Sequence, residues 1–270
     1  MTRLADIMAA TQRRVARDRA TCDRGELERR ASRHRPRGFL RALNAVSQTG
    51  VAIIAELKRA SPSRGVIRQN FDPAKLAAEL EARGAAALSV LTDQEFFHGS
   101  LENLRTASAV TQLPCLRKDF IVDEFQILEA RAHSADAVLL IVAALSQAQL
   151  VLLARRAAEL ELDVLVEVHD PIELERALDA GSNLIGVNSR DLRSFTTDLA
   201  TAFGLAPQIP EGVLSVAESG IESGSEIARL REAGYRAFLI GESLMRTPMP
   251  GQTLRTLLVE AGSTIKVGPR

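Results

Sequence analysis

From about residue 50 onward, eight short apolar runs punctuate the chain, at residues 51–57, 86–91, 113–116, 137–142, 164–168, 184–187, 213–217 and 237–240. Each is apolar throughout rather than alternating, the pattern of parallel strands covered on both faces. Helical stretches fill the gaps and carry their own start and stop signals. Asp72-Pro73 and Asp170-Pro171 put an N-cap acid ahead of proline at the first helical position, and Ser146-x-x-Gln149 has capping-box spacing. Gly84, Gly181 and Gly234 each follow a helical stretch and precede the next strand, as a left-handed helix C-cap requires. This weak repeat predicts an α/β fold, a (β/α)8 barrel, a type that spans about 250 residues. A doubly wound open sheet is the competing layout, but the eight regular units and the lack of G-x-G-x-x-G after the first strand count against it.

The residues ahead of the first strand follow a different pattern. Leu4, Ile7, Met8, Thr11 and Val15 make an apolar helical stripe, while Arg13, Arg14, Arg17, Arg19, Arg29, Arg30, Arg33, Arg35 and Arg37 alternate with Asp6, Asp18, Asp23, Glu26 and Glu28. A nucleic-acid arm or a transit peptide is the alternative reading of so much arginine. The interleaved acids and the stripe favour an amphipathic helix packed on the main body. The expected organisation is a helical extension over residues 1–45 and a barrel over residues 46–270, with no linker dividing them.

Composition narrows the function classes. At 46% hydrophobic and 25% charged, with zero formal net charge, the whole molecule has no electrostatic reason to seek nucleic acid or a membrane. No run nears the roughly 20 apolar residues of a membrane span, and the first residues lack the apolar core of a signal peptide. Cys22 and Cys115 read as reduced thiols in a cytoplasmic protein. His98, His133 and His169 lack metal-ligand spacing, so no metal is expected, and His169 reads as structural. Phosphate-loop and nucleophile-elbow motifs are missing too, so nucleotide and acyl-enzyme chemistry have no support in the sequence.

In such a barrel, chemistry gathers where the strands end. Those ends carry Glu56 and Lys58; Thr92; Lys118 and Asp119; Glu167; Asn188 and Arg190; Glu218, Ser219 and Gly220; and Gly241. Only four of the thirty-four basic residues are lysine, and two of these, Lys58 and Lys118, close apolar runs. Arginine keeps its charge, whereas lysine can give up a proton when its surroundings demand it, so this placement points to proton transfer. Ordinary compositional bias toward arginine is the alternative. Glycines after the last two strands would let backbone N–H groups approach an anion, and those loops are a frequent phosphate site in this fold.

The segment Ile53-Ile54-Ala55-Glu56-Leu57-Lys58-Arg59-Ala60-Ser61-Pro62-Ser63-Arg64-Gly65 closely resembles the signature of the indole-3-glycerol phosphate synthase family. Further matches are Leu116-Arg117-Lys118-Asp119-Phe120, Val166-Glu167-Val168, the run Gly186-Val187-Asn188-Ser189-Arg190-Asp191-Leu192, Ala217-Glu218-Ser219-Gly220-Ile221 and Phe238-Leu239-Ile240-Gly241. They lie in order and cover residues 40–250. The resemblance implies a (β/α)8 barrel with an N-terminal helical segment. It further implies ring closure of 1-(2-carboxyphenylamino)-1-deoxyribulose 5-phosphate to indole-3-glycerol phosphate, with loss of CO2 and water and no cofactor, in tryptophan biosynthesis.

By the same resemblance Lys118 is the general acid of ring closure and Glu167 the proton-transferring carboxylate. Lys58 would hold the substrate carboxylate and serve as acid in dehydration, with Glu56 and Asn188 orienting the lysines and sugar hydroxyls. Phosphate would fall to Arg190, Ser219, Gly220, Gly241 and the backbone of Glu242. Ser61, Phe97, Phe120, Leu139 and Leu192 would wall the aromatic ring. Separately, the length and glycine of the long loop over residues 61–70 predict that Arg64-Gly65-Val66 forms a mobile lid. Two departures stand out. Glu242 replaces the serine of some members, so its carboxylate is expected to turn away from phosphate. The chain also has no tryptophan to stack on the substrate from the N-terminal segment. The expected partner is a small phosphorylated molecule, with the chain a monomer or a weak homodimer. A phosphate-sugar isomerase barrel and a non-catalytic phosphate-binding barrel are the rival readings.

Overall fold

The computed structural model describes residues 4–191 and 196–262. All eight apolar runs are strands: β1 Ala52–Leu57, β2 Ala87–Leu91, β3 Cys115–Lys118, β4 Ala137–Ile141, β5 Asp163–Val168, β6 Leu184–Asn188, β7 Leu214–Glu218 and β8 Ala237–Ile240. They pair in parallel in sequence order, and β8 closes on β1, with Ala52 opposite Ala237 and Ala55 opposite Ile240. The predicted barrel is therefore present. β3, β6 and β7 run one or two residues past their apolar stretch and end on Lys118, Asn188 and Glu218. Pairing is a backbone property, so a polar side chain does not stop it. β3 also starts late, because Pro114 has no N–H to donate and joins the ladder only as an acceptor from Leu88 N.

Successive side chains of a strand point to opposite faces, and here both faces are buried. Ile53, Ala55, Leu57, Val166 and Val187 pack outward against the helices. Ala52, Ile54, Leu116, Leu139, Leu165, Leu184, Leu214, Val216 and Leu239 fill the cylinder. The runs look uniformly apolar because two cores share each strand, not because the period is lost.

Around the barrel lie α4 Pro73–Ala82, α5 Leu101–Ala109, α6 Glu124–Ala132, α7 Gln147–Glu159, α8 Pro171–Asp179, α9 Ala200–Leu205, α10 Gly224–Glu232, α11 Glu242–Met245 and α12 Pro250–Glu260. The predicted caps are formed. Asp72 accepts from Lys75 N, Asp170 accepts from Glu173 N, and Ser146 and Gln149 close a reciprocal box.

Three helices precede β1: α1 Leu4–Thr21, α2 Arg24–Arg33 and α3 Phe39–Ser47. α1 buries Ile7, Ala10, Thr11 and Val15, close to the predicted stripe. α2 lays Leu27 and Ala31 on Leu128 and Ala132 of α6. α3 sets Phe39 and Leu43 against the first inward residues of the strands, plugging the barrel at the strands' N-terminal ends. The arginines of this segment act as staples. Arg14 Nη2 donates to Asp119 at 2.9 Å beside the far mouth, and Arg37 donates to the buried Asp136 from Nε at 3.0 Å and Nη2 at 2.6 Å. Asp136 also accepts from the backbone of Arg37 and Cys115, and His34 Nε2 lies 3.1 Å away. Burial opposes its charge, yet His34 and Arg37 outweigh it and hold the carboxyl below its ordinary range. Removing one partner of a buried pair strands the other charge. Asp136→Ala is expected to cost on the order of 3–5 kcal/mol, read as a lowered urea midpoint; a loss below about 1 kcal/mol would contradict the stapling role.

Candidate active site

Counting by twos along the inward face leads from hydrocarbon to charge. Ala52 and Ile54 are followed by Glu56, Leu116 by Lys118, Leu165 by Glu167, and Leu214 and Val216 by Glu218. Gly186 is followed by Asn188. The top inward layer is thus polar, and its members meet. Lys118 Nζ donates to Glu167 Oε2 at 2.6 Å and to Glu218 Oε2 at 2.9 Å. Asn188 Nδ2 donates to Glu167 Oε1 at 3.1 Å. Lys58 Nζ lies 2.6 Å from Glu56 Oε1, and Ser89 Oγ donates to the other Glu56 oxygen at 3.3 Å. Residues far apart in sequence therefore form one cluster at the mouth.

Arg117 and Asp119 flank Lys118 and face the other way. Arg117 is fully buried and donates to Gln126 O, Glu129 and Asp119, while Asp119 accepts from Thr92 Oγ1 at 2.7 Å. This outward lattice holds the strand end from which Lys118 projects inward.

Burial of the cluster sets its proton affinities. It works against the Lys118 charge, but Glu167, Glu218 and Glu56 outweigh it, so the ammonium is held above its ordinary range. Burial also works against Glu167, yet Lys118 and then His169 hold that carboxylate well below the usual range. Glu218 goes the other way. Burial, reinforced by the neighbouring charge of Glu167, prevails over Lys118 and pushes it up to about 7. Two carboxylates on one ammonium thus have widely separated affinities, the arrangement that divides acid from base roles.

The cluster lies at the floor of a cavity of about 240 Å³. Its lining includes Glu56, Lys58, Ser61, Phe97, Lys118, Phe120, Leu139, Glu167, Asn188, Arg190, Ser219, Gly220, Gly241 and Glu242. Every residue given a catalytic, ring-binding or phosphate-binding role from the sequence lines it except Leu192, which lies outside the described residues; the strand-end Thr92 does not line it and pairs with Asp119 instead. Phe97 and Phe120 stand 6.4 Å apart, centroid to centroid, as a tilted pair on one wall. Leu4 and Ile7 of α1 supply apolar wall from the N-terminal segment, which offers no tryptophan. On the opposite rim, Ser219 and Gly220 both have positive φ, at 66° and 78°. Positive φ at successive residues marks a sharp left-handed turn of the backbone directly after β7. Ser243 Oγ donates to Ile221 O at 3.0 Å, tying the loops after β7 and β8 together.

Two expectations need correction. The Glu242 carboxylate does not turn away: it lies 3.2 Å from Arg64 Nε and accepts from Arg190 Nη2 at 3.4 Å, because two nearby guanidinium groups outcompete solvent for it. Residues 61–70 are not a plain loop: Ala60–Ser61 pairs with Gly65–Val66 as a small antiparallel hairpin, and Arg68 fastens its base to Met245 O and Thr247 O. His169, read as structural, braces the site from behind: Nδ1 meets Glu173 Oε2 at 2.9 Å, and Nε2 lies 3.4 Å from Glu167 Oε1.

Glu218 was visible as a strand end but had no assigned role; continuing the inward count from Leu214 would have placed it in the cluster. Two glycines make room for these acids. A Cβ on Gly186 would collide with Glu218 Oε1, and one on Gly241 would crowd Glu56. Among the described residues no group of three or more His, Cys, Asp and Glu has the arrangement to hold a metal ion.

Comparison with known proteins agrees with this geometry. The sequence profile of the family described as indole-3-glycerol phosphate synthase matches residues 4–257. A protein of that name from Koribacter versatilis (strain Ellin345) is 55% identical over 255 residues, covering 94% of this chain and 98% of its own. One from Bordetella pertussis is 50% identical over 257 residues, with coverages of 94% and 98%. Among solved structures, a 3-hexulose-6-phosphate synthase superposes with a TM-score of 0.62 at 12% identity, over 78% of this chain and 99% of that one. A thiamine phosphate pyrophosphorylase from Pyrococcus furiosus gives 0.60 at 14% identity, over 78% and 95%. These two share the fold.

The His169 contacts give a pH signature. Burial disfavours its charge, but Glu167 and Glu173 outweigh this and push it up to about 10. The folded value exceeds that of an unfolded histidine, about 6.5. Its stabilisation is therefore complete below about 6.5 and disappears as pH rises through about 10. His169→Asn should narrow the difference in urea midpoint between pH 6 and pH 10; an unchanged difference would show that the imidazole is not held charged.

Proposed function

We propose residue roles from the premise that this chain belongs to the indole-3-glycerol phosphate synthase family. Its activity is that of a decarboxylating lyase of tryptophan biosynthesis. Closure of 1-(2-carboxyphenylamino)-1-deoxyribulose 5-phosphate yields indole-3-glycerol phosphate, CO2 and water. The observation that carries the roles is the Lys118 ammonium gripped by Glu167 and Glu218 at the cavity floor.

In the first step the ring carbon that bears the carboxylate attacks the ketone. The ketone oxygen gains the electron pair and takes a proton from Lys118. A buried ammonium is suited to this, since low dielectric strengthens its pull on a developing alkoxide. The new carbon–carbon bond leaves the ring carbon tetrahedral, and loss of CO2 returns the bonding pair to the ring and restores aromaticity. Lys58, held by Glu56, receives the substrate carboxylate before it departs. Dehydration then breaks the carbon–oxygen bond of the new hydroxyl. Lys58 protonates the leaving oxygen, and Glu167, the carboxylate of low proton affinity, collects the proton released from the closing ring. Asn188 orients Glu167. Glu218, whose proton affinity is raised by burial, positions Lys118 and returns a proton to it between turnovers.

The aromatic ring fits between Phe97, Phe120 and Leu139, with Leu4 and Ile7 closing the wall. Ser61 lines the same cavity, and Leu192 belongs to the proposed ring wall by resemblance. The 5-phosphate is assigned to backbone N–H groups at Ser219, Gly220, Gly241 and Glu242, with Arg190 alongside. We further propose that the chain works in the cytoplasm as a monomer on this small phosphorylated substrate, without cofactor, nucleic acid or membrane. Among the described residues no helix is long and apolar enough to cross a membrane.

Incubating purified protein with the substrate, with no added metal or nucleotide, should produce indole fluorescence. Phosphate-ligand binding without any signal would favour a non-catalytic barrel, and conversion without indole would favour an isomerase. Lys118→Arg preserves charge but shifts geometry and acidity, and should lower kcat about 100-fold or more; retention of full kcat would remove Lys118 as the acid. Gly186→Ala should displace Glu218 and lower kcat about tenfold or more. Unchanged kcat would show that Glu218 needs no fixed position.

A further inference from the structure

Glu242 is a residue whose two halves oppose each other. Its backbone N–H belongs to the rim assigned to phosphate, while its carboxylate reaches back to two guanidinium groups. Oε1 lies 3.2 Å from Arg64 Nε, and Oε2 lies 3.4 Å from Arg190 Nη2. The carboxylate is 17% exposed and Arg190 25%, so at least one of these pairs is sheltered from solvent screening. Arg190 is held in place from behind. Its N–H donates to Asn188 Oδ1 at 3.0 Å, its Nη1 is 3.5 Å from Ser63 Oγ, and its backbone bridges to Thr197. Arg64 comes from the short hairpin after β1, between Ser61 and its partner Gly65. A single carboxylate therefore joins the segments that follow β1, β6 and β8, all lining the same cavity as Ser219 and Gly220.

A phosphate in the adjoining backbone cup would seek the same two cations. Guanidinium groups bind carboxylate and phosphate through the same fork of N–H donors, so the two anions compete. The carboxylate is tethered and always present, whereas the phosphate arrives with the substrate. We propose that Glu242 is a built-in counter-ion of Arg64 and Arg190 that the substrate phosphate displaces, so that this position limits phosphate affinity. The inference rests on the assignment of the 5-phosphate to the loops after β7 and β8. Phosphate capture is then an exchange of anions. Arg64, released from Glu242, carries the hairpin toward the bound phosphate.

Inorganic phosphate is a suitable probe, read both as a competitive inhibitor of substrate turnover and by calorimetric titration of the free protein. In Glu242→Gln and Glu242→Ser, two variants at a partly exposed rim position, phosphate should bind about three- to tenfold more tightly. Arg64→Gln should weaken phosphate about twofold or less in the otherwise unchanged chain, where losing the cation also frees the carboxylate pair. In the Glu242→Gln background it should weaken phosphate about threefold or more. Unchanged or weaker phosphate binding in both Glu242 variants would overturn the proposal, as would an Arg64→Gln effect equal in both backgrounds. Should no form bind phosphate while substrate is still turned over, the proposal fails and the reaction stands. Should the unaltered chain make no indole, the reaction assignment fails, and the calorimetric constants still decide the proposal.

Discussion

An ammonium ion removed from water needs anions in contact with it, and the mouth of this barrel is arranged around that need. Lys118 has two carboxylates within 2.9 Å. Neither would be stable there alone, since burying a lone charge costs far more than a protein domain can sustain. The cluster is held together by mutual dependence: the lysine keeps Glu167 ionised, and the two acids keep the lysine charged. A second pair, Lys58 with Glu56, repeats the principle at the end of β1.

That cluster requires a frame that places four strand ends to within a fraction of an ångström. The closed ladder provides the first constraint and the dry interior below provides the second. Leu116, Leu165 and Val216 fill the layer beneath Lys118, Glu167 and Glu218, so the acids have no room to sink. From behind, Arg117, Asp119, Thr92 and Arg14 lock the end of β3 and connect it to α1. The N-terminal helices thus serve both ends of the barrel. Phe39 and Leu43 plug the base, and Leu4 and Ile7 wall the mouth.

The arginine-rich composition has a structural meaning in this light. Arg37, Arg117 and Arg131 make buried or half-buried contacts with backbone carbonyls and carboxylates, where a permanently charged, multi-donor group is an advantage. Lysine stands at the two strand ends where an ammonium meets buried carboxylates, Lys58 with Glu56 and Lys118 with Glu167 and Glu218. At the rim, Arg64 and Arg190 are likewise paired with a carboxylate, that of Glu242.

The sequence by itself determined the barrel, its helix caps and the polar strand ends of the cavity, and the family resemblance added its ring-wall residues. Those features depend on local chemistry: apolar runs, capping pairs such as Asp72 and Lys75, and a long motif around Glu56 and Lys58. Tertiary structure alone decided which groups touch. Glu218 looked like one strand end among several until β7 brought it to Lys118 across a hundred residues of chain. His169 lies two residues from Glu167, a spacing that leaves it either on the opposite strand face or in the loop. It returns because the strand ends at Val168 and the backbone turns into the cap of α8. The orientation of Glu242 follows from two arginines that arrive from distant loops. Pairing of charges is a property of distance in space, and spacing along a chain reports that distance only within a single helix or strand.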